Sequence, residues 1–345
     1  MVMNALVVPR YGEPDVVELR SLPEPDPGPR DIVVEVRATT VNSGDARLRA
    51  ARFPDGMGWL GRLALGWSVP RRQVLGAELA GVVSAVGSSV TEYAFGDRVL
   101  AMTGARMGAH AERCAVGVDH CVVPLPAPIS FDEAVSLPFG GTTALTYLAD
   151  RARLRAGESV LVIGASGAVG AACVQVARRL GAEVTGVCSG ANAALVRSLG
   201  AKRIIDYTQT DVFASSDRWD VVIDTVGRAS VEQVCGLAAA RGRVGLVAAG
   251  LPQMVAAAWR TATSQQRVLV GPAAESPAHL SRLVAWLGEG AWQPVVDLRL
   301  SLSRGAEAHA RVDSMRKVGS LVLRPTRSID PQTAANSATP QIRGE

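Results

Sequence analysis

Gly164, Gly167 and Gly170 stand in Gly164-Ala165-Ser166-Gly167-Ala168-Val169-Gly170, directly after the apolar run Ser159–Ile163 and before the alanine-rich stretch Ala171–Arg178. A buried strand, a tight turn and a helix start, in that order, aim backbone N–H groups and the positive end of a helix at one point. That point suits a phosphate. Glycine at 167 lets the backbone approach a pyrophosphate, and glycine at 170 lets the helix pack closely on its strand. Ala165 takes the place of the first glycine of the strict G-x-G-x-x-G pattern. The strand–turn–helix frame is the context that a dinucleotide-binding turn requires. Ser166, Gly167, Ala168, Val169 and Gly170 are therefore candidate cofactor contacts.

Cofactor choice falls at the end of the next strand, about 20 residues further on. That stretch, Val187-Cys188-Ser189-Gly190-Ala191-Asn192, carries no acid. A carboxylate there would repel a 2′-phosphate, so its absence predicts NADPH in preference to NADH. Ser189 and Asn192 are the candidate donors, and both also suit a helix cap.

The elements that must position this turn can be read on either side of it. Before about residue 127, short apolar runs alternate with Gly, Pro and Asp, as antiparallel strands and turns do. The expected strands are residues 4–9, 31–38, 81–86, 97–101 and 114–118. Residues 53–72 have no clear period and read as an insertion or a lid. Ser130 with Glu133 predicts a capped helix start. Apolar strands then alternate with helices: strands 159–163, 183–188, 203–205, 220–224, 243–247 and 267–270, and helices 167–180, 191–199 and 230–240. Such alternation predicts a parallel sheet covered on both faces. A helix over 277–289, a strand over 295–300, a helix over 304–317 and a strand over 320–323 follow. The fold class is α/β, with two domains at about 100–200 residues each. Residues 325–345 are polar and read as a disordered tail.

Composition narrows the functions. Aromatic residues are 4% of the chain, which argues against stacking platforms for single-stranded nucleic acid. The net charge is +4, but the basic residues are scattered arginines apart from Lys202 and Lys317. No basic stripe for nucleic acid is expected. The five cysteines are odd in number and lack C-x-x-C spacing, and no apolar run suits a membrane helix or a signal peptide. A soluble, cytoplasmic protein is expected.

Further stretches carry a resemblance. Gly76–Gly87 followed by Gly96-Asp97-Arg98-Val99, Val41-Asn42-Ser43-Gly44-Asp45, Gly141-Thr142-Thr143-Ala144, the 164–170 turn, Leu199-Gly200-Ala201 with Ile205-Asp206-Tyr207, Asp224-Thr225-Val226-Gly227 and Gly242-Arg243-Val244 occur in one order. Together they resemble the zinc-free quinone oxidoreductase branch of the medium-chain dehydrogenase/reductases. The resemblance covers nearly the whole chain to about residue 324. It implies a GroES-like β-rich catalytic domain (1–126 and 276–324) and a Rossmann doubly wound cofactor domain (127–275). It implies that Asn42 faces the nicotinamide ribose or the substrate, and that Thr143 lies near the nicotinamide; these two are the catalytic candidates. It adds Thr225, Val226, Gly227, Ala248, Ala249 and Gly250 as cofactor contacts at strand ends. Tyr207 either flanks the adenosine or packs at a strand edge. The resemblance further implies a homodimer through the cofactor-sheet edge, with 267–270 as the candidate strand.

Zinc is not expected. Where zinc-dependent relatives carry Cys and His, this chain has Asn42 and Ala77, and Glu78 alone cannot hold the metal. His110 and His120 read as surface-loop residues. Without a Lewis acid, hydride delivery from NADPH to a small electrophilic acceptor, a quinone or an α,β-unsaturated carbonyl, fits better than alcohol oxidation. Asp45 reads as a buried structural acid. The proton comes from solvent, or Arg47, Arg49 or Arg52 stabilises an oxyanion. Arg47, Trp59 and Trp67 are the candidate substrate contacts. An enoyl-thioester or natural-product tailoring reductase and a non-enzymatic dinucleotide sensor are the alternatives.

Overall fold

The computed structural model describes residues 1–53 and 55–325. The expected tail, from 326 onward, lies outside them. The chain opens with a hairpin, β1 (Val2–Val7) and β2 (Glu18–Pro23), followed by β3 (Asp31–Val41), α1 (Ser43–Arg49), α2 (Gly58–Leu65), β4 (Glu78–Val86), β5 (Arg98–Met102), β6 (Arg113–Gly117) and β7 (Cys121–Pro124). The capping box of Ser130 and Glu133 starts α3 (Phe131–Val135) as expected. The linking stretch is wound as π-helical turns, Pro138–Thr142 and Thr146–Arg151, around the short α4 (Thr143–Leu145).

The second half builds β8 (Ser159–Ile163), α5 (Ala168–Arg179), β9 (Glu183–Cys188), α6 (Ala193–Ser198), β10 (Arg203–Asp206), β11 (Trp219–Asp224), α7 (Val231–Gly236), β12 (Ala238–Leu246), α8 (Leu251–Thr263) and β13 (Arg267–Leu269). Their six strands form one parallel sheet in the order β10-β9-β8-β11-β12-β13. The order reverses between β8 and β11, which opens a crevice at their carboxyl ends. After α9 (Pro277–Gly288), β14 (Val296–Ser301) and β15 (Ser320–Arg324) flank α10 (Gly305–Asp313). These last strands do not extend the parallel sheet. β15 pairs with β3, so the seven-stranded sheet runs β14-β15-β3-β4-β5-β7, with β6 on β3. One buried cluster joins the two sheets: Ala38, Ala80 and Leu100 belong to the same core as Leu145, Val162, Val174 and Leu283.

Several expectations need correction. β2 and β7 were not anticipated. Residues 53–72 contain α2, whose Trp59 stays exposed. The expected helix 230–240 ends at Gly236, and Ala238–Ala240 already belong to β12. α8 is new: its outward stripe Leu251, Val255 and Trp259 is exposed, so its apolar period does not mark a buried face. His110 is not a surface-loop residue. It is 1% exposed, and its Nε2 donates to Thr40 O at 2.8 Å. His120 is exposed as expected.

The buried polar layer under β3 and α10 is unusual. Asp45 accepts from the N–H groups of Asn42 (2.9 Å) and Gly76 (3.1 Å), which is the structural role expected of it. The His110 ring meets His309 edge to face, 6.0 Å between centroids. His309 is fully buried, and neither ring nitrogen has a partner among the described residues. Burial, His110 and Arg49 together push its proton affinity well below the ordinary histidine value of 6.5. The unfolded chain therefore takes up a proton below pH 6.5 that the folded protein resists, so stability present above that pH is lost as the pH falls. This group should contribute about 1.4 kcal/mol per pH unit to that loss. Denaturant unfolding at pH 7.5 and 5.5 is expected to show a steep loss in the parent and a loss smaller by about 1.4 kcal/mol over that interval in His309→Leu. Equal slopes would remove His309 from the account.

Candidate functional site

The crevice between β8 and β11 is a cleft of about 560 Å³ that reaches from Tyr207 and Phe213 at one end to Ser43 and Phe139 at the other. Its wall takes residues of β8, β9 and β11 together with Ser43 of α1, Phe139 of the π-helical link, Val312 of α10, and Met315 and Lys317 beyond it. The glycine turn lies in the middle. Gly164 has φ +80°, a conformation that favours glycine. Gly167 N–H donates to Gly164 O at 3.0 Å and closes the turn. Gly167 is the N-cap of α5 and brings no side chain to the first helical amides, so Ala168, Val169 and Gly170 present theirs without a side-chain cap.

The three glycines do different work. A Cβ on Gly170 would collide with the Gly164 carbonyl, so this glycine sets how closely α5 meets β8. A Cβ on Gly167 would meet only Gly164 O, at 3.5 Å, and otherwise open space. The fold requires glycine at 170, whereas at 167 the space belongs to the cleft.

Of the expected contacts, the cleft wall includes Ser166, Gly167, Ala168, Val169, Tyr207, Thr225 and Val226. Thr225 Oγ donates to Ile163 O at 2.8 Å, which ties β11 to the glycine turn. Gly227, Ala248, Ala249 and Gly250 follow β11 and β12 at the same sheet end but do not form the wall. Ser189 and Asn192 also stand outside it. Asn192 reaches the site indirectly, with its Nδ2 donating to Ser166 Oγ at 3.1 Å.

Both catalytic candidates are occupied by local structure. Asn42 caps α1, accepting from Gly44 N (2.8 Å) and Asp45 N (3.2 Å), and its Nδ2 donates to Glu78 Oε1 at 3.2 Å. Thr143 Oγ donates back to Phe139 O at 2.7 Å. Their neighbours Ser43 and Phe139 form the cleft wall in their stead. Glu78 is buried behind them and accepts from Thr40 Oγ, Asn42 Nδ2 and Phe139 N. Burial raises its carboxyl to about 7 against these bonds.

The arginine and tryptophan candidates are not assembled there. Arg49 is fully buried and pairs with Asp313 and with Gly12 O, and Arg52 pairs with Glu13. Arg47 is exposed outside the cleft. Trp59 and Trp67 are 62% and 66% exposed and stand off the wall. Their segment instead docks beside the β12–α8 loop, where Leu251 N donates to Asp55 O at 2.8 Å.

Sequence patterns missed three groups. Asp224 is buried on the wall, and its carboxylate accepts from Val226 N (2.8 Å) and Gly227 N (3.1 Å). Lys317 is on the wall too, reached only because β15 returns to the first sheet. Asp206 ends β10 in register with Cys188 and lies against Gly190, so an acid stands beside the loop that lacks one. Bonds from Thr208 and the Gly190 amide hold its carboxyl below the usual range.

Comparison with known proteins now decides the family. The alcohol dehydrogenase GroES-like domain family matches residues 28–154, and the zinc-binding dehydrogenase family matches residues 199–323. The chain is 32% identical over 333 residues to the quinone oxidoreductase of Pseudomonas aeruginosa, covering 91% of this chain and 97% of that one. The chain belongs to the quinone oxidoreductase-like branch of the medium-chain dehydrogenase/reductases. Human quinone oxidoreductase is 27% identical over 90% of this chain and 94% of its own. The solved quinone oxidoreductase from Coxiella burnetii has a TM-score of 0.85 at 25% identity, over 94% of this chain and 100% of that one. The protein is accordingly an oxidoreductase of a family that binds a nicotinamide cofactor and acts on small molecules. No helix among the described residues is long and apolar enough to cross a membrane.

The glycine geometry makes a paired prediction. Gly170→Ala is expected to cost about 1–3 kcal/mol of stability through overpacking. Gly167→Val is expected to melt like the parent without ligand, yet to bind nicotinamide dinucleotide more than about tenfold more weakly. Melting curves and binding titrations check both. A Gly167→Val protein that binds like the parent would contradict the reading.

Proposed function

We propose that the protein is a zinc-independent, NADPH-dependent reductase that delivers hydride to a quinone or an α,β-unsaturated carbonyl. The observation that carries the reading is the state of Glu78. The position that zinc would share in metal-dependent relatives holds a carboxylate saturated by Thr40, Asn42 and Phe139. Among the described residues no three His, Cys, Asp or Glu side chains gather as a ligand set. The donor chemistry here does not fit zinc.

The residues present do fit a dinucleotide. The open amides of α5 and the turn at Gly167 suit a diphosphate, and Thr225, Val226 and Phe139 would flank the nicotinamide half. Bound there, the nicotinamide supplies the hydride, while the chain orients the acceptor and excludes water. Arg49 and Arg52 are spent on carboxylates, so neither serves a developing oxyanion in this reading. NADPH is supported by the lack of an acid within residues 187–192. A second reading, NADH, is favoured by the closeness of Asp206 to Gly190.

We further read residues 1–126 with 276–324 as the catalytic domain and 127–275 as the cofactor domain. In this reading two copies pair along the open edge of β13, and the protein works in the cytoplasm. Five free, buried cysteines suit that reducing compartment. Light scattering should then give twice 36.0 kDa; a monomer would contradict the pairing.

The test of the activity is a cofactor and acceptor panel run with and without a strong chelator. Oxidation of NADPH by 1,4-quinones or enones, unchanged by the chelator, is expected. Alcohol oxidation that the chelator abolishes would overturn the proposal. Faster turnover with NADH would favour the second reading. Activity confined to carrier-bound thioesters would point to the tailoring-reductase alternative. Binding without turnover on any acceptor would point to a sensor.

A further inference from the structure

Lys317 is one of two lysines in the chain, and it lines the cleft. Its Nζ donates to Gly319 O at 2.7 Å. Gly319 is itself fixed to the glycine turn: its N–H donates to Ser166 O at 2.9 Å, and it bridges Gly167 in parallel. The ammonium is thus suspended from the residue that touches Ser166 and Gly167, beside the first turn of α5. Part of the Lys317 stem reaches solvent, but its ammonium end is enclosed.

This charge lacks a full partner. Asp297 on β14 acts on it at a distance, but Asp297 is paired with Arg311 at 2.8 Å. Glu78 on β4 also acts on it, and the oxygens of Glu78 are taken by Thr40, Asn42 and Phe139. The other charged side chains on the wall are Asp224, which accepts from Val226 and Gly227 N–H, and the exposed Arg228, whose charge is permanent and adds no pH dependence; Ser166, Gly167, Val312 and Met315 carry no charge. An enclosed ammonium with one carbonyl acceptor is costly unless an anion joins it.

We propose that Lys317 is the countercharge for the diphosphate of the dinucleotide, and that it couples cofactor capture to uptake of a proton. The proposal rests on the reading that the cleft takes NADPH or NADH. In the empty cleft, burial lowers the ammonium to about 8, against the opposing pull of Asp297 and Glu78. A bound diphosphate favours the charged form and raises that value. Capture above pH 8 therefore takes up a proton, and affinity falls as the pH rises. Below pH 7 the lysine is already charged and contributes no pH dependence. The 2′-phosphate titrates near pH 6 and Glu78 near 7, both below the window that matters. Burial pushes the Cys188 thiol on the same wall above its ordinary value of 9.

The test measures the Kd of NADPH by its fluorescence from pH 7.5 to 9.5 for the parent, Lys317→Met and Lys317→Arg. Calorimetry at pH 8.5 in two buffers of different ionisation enthalpy counts the proton. The parent should weaken about sixfold in total between pH 7.5 and 9.5, levelling off at the alkaline end, and take up about half a proton at pH 8.5. Lys317→Met should bind about tenfold more weakly at pH 7.5, with no further loss by pH 9.5. Lys317→Arg should stay tight and flat, since its charge is permanent. Without ligand, Lys317→Met should melt no lower than the parent, which separates lost binding from lost folding. Parental affinity and slope in Lys317→Met would overturn the proposal and leave the cofactor reading standing. Parental binding with lost turnover would place the lysine's action on the acceptor and also overturn it. A parent that binds neither NADPH nor NADH at any pH would overturn the cofactor reading, and the proposal with it.

Discussion

The close approach of α5 to the end of β8 is the contact on which the cleft depends. Gly170 faces the Gly164 carbonyl with no room for a side-chain carbon. That contact lets the parallel sheet and its first helix meet at a turn whose amides remain free. Any larger residue would move α5, and with it the only feature of the turn that favours negative charge, the first-turn N–H groups. The strand order around β8 makes the contact useful. Because β9 leaves on one side and β11 on the other, the helix end opens into a crevice and not into a packed layer.

The second constraint joins the sheets. β15 belongs to the seven-stranded sheet, yet the residue before it, Gly319, bonds to Ser166 in the glycine turn. A shared core of apolar side chains backs this bond. The cleft is therefore lined by the parallel sheet and its turns together with Ser43, Phe139 and the stretch from Val312 to Lys317 that leads into β15. Glu78 plays a related part on the catalytic side. Its bonds to Thr40, Asn42 and Phe139 connect β3, the α1 cap and the π-helical stretch at one buried carboxylate.

The sequence made the parallel sheet legible because its strands are continuous apolar runs bounded by glycine or by charge; β8 and β9 come out to the residue. The glycine turn was legible for the same reason, since spacing alone places Gly167 and Gly170. What escaped was governed by contacts distant in the chain. α8 carries apolar residues into water, and β2 is mostly exposed, so neither shows the expected burial pattern. His110 sits between two alanines in an irregular segment, and only the packing of Asp45 and His309 around it makes it a core residue. Lys317 was lost in a scattered basic composition although it reaches the cleft, and Arg49, read as an oxyanion stabiliser, is fully buried against Asp313. Asp206 was quoted within a motif, but only the pairing of β10 with β9 brings it beside Gly190. Asn42 and Thr143, singled out by motif, stand next to the wall residue Ser43 and one turn from Phe139, and their polar atoms are engaged in caps and helix bonds.

The central claim is that a dinucleotide lies across the β8–β11 crevice with its diphosphate at the α5 amides. A crystal structure of the protein with NADPH tests it most directly. The account predicts the nucleotide along the cleft, the diphosphate against Gly167, Ala168 and Val169, and the nicotinamide toward Phe139. A nucleotide bound elsewhere, or a cleft left open at saturating NADPH, would contradict it.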